Sequence, residues 1–254
     1  MNRDATLGFT VFRPETLPFA EAAMRGCGLV VLEEPQTPGF EAMLAGEMPP
    51  EEYMMLTEFE FPEYAAKQCH LLRKLHAEGA RVLQVHPWMD ELTGIHEFFA
   101  AGKTPADLPG QGAARAVYER ERAWTGALVH FYEASTKAGF AGIVDAVNAF
   151  AKQDAKKISD MDKARADALG PLFSGVPKDF RAYVECGTIH MDMVLLMRGK
   201  LGPGRIRVRH LMEEVCKPRF GTRRLLPPGD VLTFRHLLGA PENPRAERLL
   251  AARA

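Results

Sequence analysis

Short apolar runs alternate along the chain with longer stretches of helical period. Residues 7–12 (Leu-Gly-Phe-Thr-Val-Phe), 29–34 (Leu-Val-Val-Leu-Glu-Glu), 80–86 (Ala-Arg-Val-Leu-Gln-Val-His) and 181–186 (Arg-Ala-Tyr-Val-Glu-Cys) are predicted strands. A continuous apolar run of this length fits a strand covered on both faces. Residues 205–209 (Arg-Ile-Arg-Val-Arg) alternate instead, the pattern of an edge strand with one exposed side. A helix is predicted from Pro14 to Arg25, since proline suits a first helical turn, and Gly26 and Gly28 end it. Further helices are predicted at 63–78, 89–101, 114–137, 140–169 and 190–199, several of them stopped by glycine. Residues 36–57 read as loop with short helical pieces, 103–113 as a Gly/Pro linker and 170–179 as a second Gly/Pro loop. The proline-rich tail from 221 reads as a wrapping segment with short helices.

Strands alternating with helices predict an α/β fold: a mainly parallel sheet flanked by helices, with a long two-helix insertion in the middle. We expect a single domain over residues 1–254, with 114–169 as a helical subregion, because the strand at 181–186 has to rejoin the sheet begun before it.

Composition narrows the class. Apolar residues make up 46% of the 254, enough for a sizeable core. Lys and Arg number 32 against 33 Asp and Glu, a formal charge of -1. That balance gives no reason to expect nucleic acid or an anionic membrane surface as partner. Cys27, Cys69, Cys186 and Cys216 form no CxxC pair and no zinc spacing, which suits reduced thiols. The polar start has no apolar h-region, and no run approaches the roughly 18 apolar residues needed to span a bilayer. A cytoplasmic protein is the expectation.

Candidate chemistry lies at the strand ends, because ligands of open α/β sheets sit outside the carboxyl ends of the strands. The second strand ends in Glu33 and Glu34, the next in His86; the strand at 181–186 holds Glu185 and runs into Gly187-Thr188-Ile189-His190. Glu33 and Glu34 should point to opposite faces, so at most one enters a given pocket. Either can equally be a solvated strand end, and His86 can simply cap the following helix. His190 is placed at a helix N-terminus, where imidazole stays neutral and fit for ligation or acid–base work. On the long helices Glu121, Asp154 and Arg165 fall on the apolar stripe, where charge is out of place unless paired. They read either as a structural ion pair, such as Glu121 or Asp154 with Arg165, or as groups lining a pocket. Arg205, Arg207 and Arg209 read as a solvated strip or a contact in a homo-oligomer.

Several of these residues also resemble, in order and layout from about residue 7 to 210, the superfamily that joins erythromycin-esterase-like enzymes, ChaN-like haem-binding proteins, TraB-like proteins and the Tiki metalloproteases. Gly187-Thr188-Ile189-His190 matches its late Gly-x-x-His, Leu32-Glu33-Glu34 its strand-end acid, and Tyr118-Glu119-Arg120-Glu121-Arg122 its Arg- and Glu-bearing helix. The first Gly-x-x-His of that pattern is absent: after Gly8-Phe9-Thr10-Val11-Phe12 comes Arg13. His86 would then replace that histidine, or Arg13 would bind an anionic substrate group.

The expectation is a hydrolase-like enzyme for a small-molecule substrate, in which a divalent metal, or a histidine without metal, activates water. Glu33, Glu34, His86 and His190 are the candidate metal ligands, a set suited to zinc, manganese or iron. Glu121, Glu185 and His190 are the candidate catalytic groups, and Arg13, Arg122 and Arg165 the candidate holders of an anionic substrate. The alternatives are a non-catalytic haem or small-molecule binding protein, with His86 or His190 as axial ligand and Trp124 and Tyr132 lining the pocket, and a degenerate regulatory member. An oxygen-using metalloenzyme is disfavoured, since neither long helix holds a Glu-x-x-His.

Overall fold

A computed structural model describes residues 4–174 and 180–254. Its elements in chain order are β1 (Asp4–Thr10), α1 (Leu17–Met24), β2 (Leu29–Leu32), α2 (Phe40–Ala45), α3 (Pro50–Tyr53), α4 (Pro62–Ala77), β3 (Arg81–Gln84), α5 (Pro87–Ala100), α6 (Ala113–Lys137), α7 (Phe140–Ser174), β4 (Arg181–Gly187), α8 (Asp192–Leu201), β5 (Ile206–His210), α9 (Glu213–Phe220), α10 (Pro228–Leu237) and α11 (Pro244–Ala251). The α/β expectation is met: the sheet has five strands, all pairings parallel, in the order β3-β2-β4-β1-β5. β4 does rejoin the sheet, and it does so in the middle, between β2 and β1. The alternating segment forms the edge strand β5, with Arg207 and Arg209 exposed.

Parallel strands need crossover connections, and these are right-handed in nearly all proteins. The chain steps towards β3 through α1, α2 and α4, whose buried residues Met24, Phe40, Met43, Leu72 and Leu75 pack with Val30, Leu32 and Tyr183 on one face. It then steps back through the end of α7 and through α8. Leu169, Phe173, Met193 and Met197 pack with Leu29, Val31, Val184 and Cys186 on the other face. Opposite directions of travel therefore cover opposite faces, and the central strands β2 and β4 are buried on both sides, as their apolar runs require.

Contacts divide the molecule into two compact units. One holds the chain up to His86 together with Arg165–Arg224; the other holds Pro87–Ala164 and Leu225–Ala254. The helical subregion expected at 114–169 falls into the second unit up to Ala164. That unit packs Trp88 and Ile95 against Val117, and Val144 and Ala151 against Leu232 and Ala251.

Several boundaries differ from expectation: β1 is Asp4–Thr10 where 7–12 is expected, β3 ends at Gln84 where 86 is expected, and α8 begins at Asp192, so that His190 lies in the turn before it and not at its first residue. Helix α7 does not stop at 169 but runs through Pro171 to Ser174. A proline inside a helix removes a backbone donor and crowds the preceding turn. Here burial of Leu169 and Phe173 against the sheet outweighs that cost. The rest of the loop expected at 170–179, residues 175–179, lies outside the described residues. The second strand ends at Leu32, so Glu33 and Glu34 stand beyond its ladder. Among the described residues no helix is long and apolar enough to cross a membrane.

Candidate functional site

The register brings the carboxyl ends of β1, β2, β3 and β4 to one rim, with Thr10 opposite Gly187 and Leu32 opposite Gln84. Along β2, Leu29 and Val31 face one core and Val30 and Leu32 the other. The alternation continues past the strand end. Glu33 turns to the side of α7 and α8, and Glu34 to the side of α2–α4, as the period of two demands.

Glu33 meets charge. Its side chain is 6% exposed, and Oε1 lies 3.0 Å from His190 Nε2 and 3.6 Å from Arg165 Nη1. Its Oε2 accepts the Gly187 N–H. Arg165 is held by backbone carbonyls: Nε donates to Val85 O at 2.9 Å and Nη1 to Glu185 O at 2.8 Å. Its Nη2 is buried and has no hydrogen-bond partner among the described residues. Burial would raise the Glu33 carboxyl, but the facing His190 and Arg165 charges and the His190 hydrogen bond outweigh it and lower the pKa to about 2. His86, buried in the same field, is driven down to about 4 by burial; Glu33 opposes this, and Arg165 and His190 add to it. His86 is thus a neutral imidazole at ordinary pH.

Glu34 and Glu185 meet neutral donors. Gln84 Nε2 donates to Glu34 Oε2 at 3.0 Å and is held in turn by Thr37 and Tyr53. Burial raises the Glu34 pKa, against the hydrogen bond from Gln84. Glu185 is wholly buried. Tyr64 and Gln68 both donate to its Oε1 at 2.7 Å, and the Glu33 N–H reaches its Oε2 at 3.4 Å. Burial and the nearby Glu34 charge push Glu185 up to about 7. Burial beside Glu185 raises the Tyr64 phenol likewise, so it stays protonated and donates.

Of the sequence candidates, Glu33, His190, His86 and Arg165 therefore gather in one cluster, and Glu34 and Glu185 stand on the opposite side of the sheet. Arg13 is exposed after β1. Arg122 is exposed in the second unit, and Glu121 belongs to that unit too. Both Glu121 oxygens are engaged, by Trp88 Nε1 at 2.7 Å and by Lys157 Nζ at 2.9 Å, and Lys157 sits 4.1 Å above the Trp124 ring. Asp154 accepts from Trp124 at 2.9 Å and from Thr233 at 3.2 Å. The ion pair foreseen on the helical stripe thus exists, but its cation is Lys157; Arg165 serves Glu33 instead. Of the haem-pocket candidates, Trp124 spends its N–H on Asp154, and Tyr132 is 60% exposed.

Sequence reasoning passed over Tyr64, Gln68 and Gln84. A signal for the first two was present: they lie one turn apart on the face of α4 that also carries Cys69 and Leu72, where polar groups need a buried partner. It also passed over His210, which ends β5 as His86 follows β3; with Arg209, Glu213 and Lys217 it lines an open depression of about 430 Å³.

The donor set fits a divalent metal poorly. Glu34 faces away from Glu33, and the fixed cation Arg165 already stands beside the Glu33 carboxylate. Among the described residues no group of three or more His, Cys, Asp or Glu could hold an ion.

The fold and rim define an α/β protein with an all-parallel five-stranded sheet and a buried Glu–His–Arg cluster at its carboxyl edge. An uncharacterized protein of Archaeoglobus fulgidus is 27% identical to this chain over 245 residues, covering 96% of this chain and 79% of that protein. No family model matches the chain, and no solved structure matches it.

Proposed function

We propose that this protein is a hydrolase-like enzyme acting on a small molecule at the carboxyl edge of the sheet, with His190 as general base. The observation that carries this reading is the contact of His190 with the buried Glu33 at 3.0 Å, with Arg165 3.6 Å from the same oxygen. A base oriented by a carboxylate, beside a fixed cation, is the constellation that acyl-transfer hydrolysis needs. Glu33 stays ionised and orients the ring by accepting a hydrogen bond from Nε2–H. His190 removes a proton from water as the water oxygen bonds to the acyl carbon. Arg165, buried behind the rim, keeps the Glu33 carboxylate ionised and does not itself reach substrate. Collapse breaks the bond to the leaving group, which takes the proton back from His190. Glu185, sealed behind the rim by Tyr64 and Gln68, positions Glu33 through the Glu33 N–H and does not touch substrate. The turn Gly187–His190 that carries this chemistry is the one that carries the resemblance to the esterase-like superfamily. The four cysteines, all buried and none in a disulfide among the described residues, suit a reducing, cytoplasmic setting.

The test is turnover on a panel of esters, lactones and amides. His190→Ala should lower kcat on any substrate found by roughly 10²–10⁴. Unchanged turnover in that variant, or no turnover on the whole panel, would overturn the reading. Elemental analysis of wild type and His190→Ala, side by side, tests the metal-dependent version: metal present in the first and lost in the second would replace the base mechanism with a metal-bound water.

A further inference from the structure

The polar cluster has an aromatic neighbour. β1 ends at Thr10, and two residues on, Phe12 adopts φ 51, the left-handed region that bulky side chains rarely enter. Hydrogen bonds hold the turn: Phe12 N–H donates to Thr10 Oγ1 at 3.2 Å, that oxygen lies 3.1 Å from Thr16 Oγ1, and Thr16 Oγ1 donates to Arg13 O at 2.7 Å. Strain maintained in this way marks a side chain held where the chain would not otherwise put it.

The Phe12 ring stacks on Phe61 with centroids 5.4 Å apart and planes 10° apart, and meets Tyr64 edge-on at 5.6 Å. Tyr64 is buried, whereas Phe61 is 40% exposed and Val11, next to Phe12, is 37% exposed. Gly187 links this aromatic group to the base. A Cβ on Gly187 would lie 3.2 Å from the Phe12 ring, 3.3 Å from His190 Cδ2 and 3.6 Å from Glu33 Oε2. The glycine thus lets Phe12, His190 and Glu33 close around one point of the turn that has no room for a side chain. A ring serving only to plug the core would be covered by its own chain, as Tyr64 is; here the stack runs from the Gly187 turn to the exposed Phe61.

We propose that Phe12 and Phe61 determine specificity, binding a flat, unsaturated apolar group of the substrate, an aryl ring above all, so that the bond to be cleaved lies at His190. Aromatic faces favour such groups by offset stacking and edge contacts, beyond the area they bury. The proposal rests on the hydrolase reading for the direction of the substrate, but the binding preference stands or falls separately.

Benzoate and cyclohexanecarboxylate have the same charge and nearly the same size and differ in the flat ring. Titration of the purified full-length protein, followed by ligand-observed NMR, should give benzoate about tenfold tighter binding. Phe12→Leu and Phe61→Leu should each reduce that preference, with an unchanged circular dichroism spectrum showing that the fold persists. His190→Ala should retain it. Equal affinity for the two acids, no binding of either, or a preference that survives in both Phe variants overturns the proposal. A preference that persists alongside an absence of turnover on aryl and alkyl esters overturns the hydrolase reading and leaves the aryl site standing.

Discussion

Glu33 and Glu34 are adjacent in the chain and equally acidic as free side chains, yet they differ in every respect that matters for chemistry. Glu33 faces His190 and Arg165, two cationic or cation-forming groups, and its carboxyl is held low at about 2. Glu34 faces Gln84, a neutral donor, and burial keeps its pKa raised. Glu185, on Glu34's side, is likewise satisfied by neutral Tyr64 and Gln68 and rises to about 7. Hydrogen bonds alone offset part of the desolvation of a carboxyl; a facing charge reverses it. One side of the sheet edge therefore carries an ionised carboxylate beside an imidazole, and the other carries carboxyls whose pKa values are raised. Environments that drive like groups apart are where acid and base roles separate.

The sharpest way to break this contrast is to remove Glu33. Glu33→Ala leaves Arg165 buried without its counter-charge and should destabilise the fold by roughly 3–5 kcal/mol, read by urea denaturation at pH 7. A loss below about 1 kcal/mol, the range of an exposed pair, would show that Arg165 depends on its carbonyl partners alone.

The pH dependence of stability separates the two sides next. Glu33 has a lowered pKa, so its contribution is present above 4.5 and is lost as pH falls towards about 2. Glu185 has a raised pKa, so its contribution is complete below 4.5 and is lost as pH rises to about 7. His86 is lowered from 6.5 to about 4, so the unfolded chain takes its proton first and stability drops as pH falls through that window. Each shift of this size corresponds to about 3 kcal/mol. Between pH 4.5 and 6.5 Glu185 and His86 oppose each other, and wild-type stability should be nearly flat. Glu185→Gln should uncover the rise with pH that His86 supplies, again about 3 kcal/mol across the window. A flat profile in that variant, measured by denaturant titration at stepped pH, would remove the His86 assignment.

The smallest effect should come from Glu34→Gln. A neutral amide can still accept from Gln84, so stability should move by about 1 kcal/mol or less, and turnover should be unchanged. A collapse of activity in this variant would show that chemistry crosses to the α2–α4 side.

Much of the architecture is legible in the residue pattern because apolar runs and glycine and proline stops are local signals. The run Leu29–Leu32 reads as a strand buried on both faces, and the alternation at Glu33 and Glu34 already separates their sides. His190 was legible through the Gly187 turn. The partners were not. Arg165 and Lys157 lie eight residues apart on one helix, and only packing decides that the first serves Glu33 and the second Glu121. The expectation that paired Arg165 with Glu121 or Asp154 used spacing along a stripe, which carries no information on which element faces it.

Local order along the chain thus specified the helices, the strands and which of two neighbouring carboxylates turns to which face, since these follow from backbone periodicity within a few residues. Strand order was a tertiary decision. Insertion of β4 between β1 and β2 depends on the summed burial of segments about 150 residues apart, and it alone brings Gly187 and His190 to the end of β2. The electrostatic character of each acid was decided there too, because a pKa responds to what lies within a few ångströms in space and not to what lies next along the backbone.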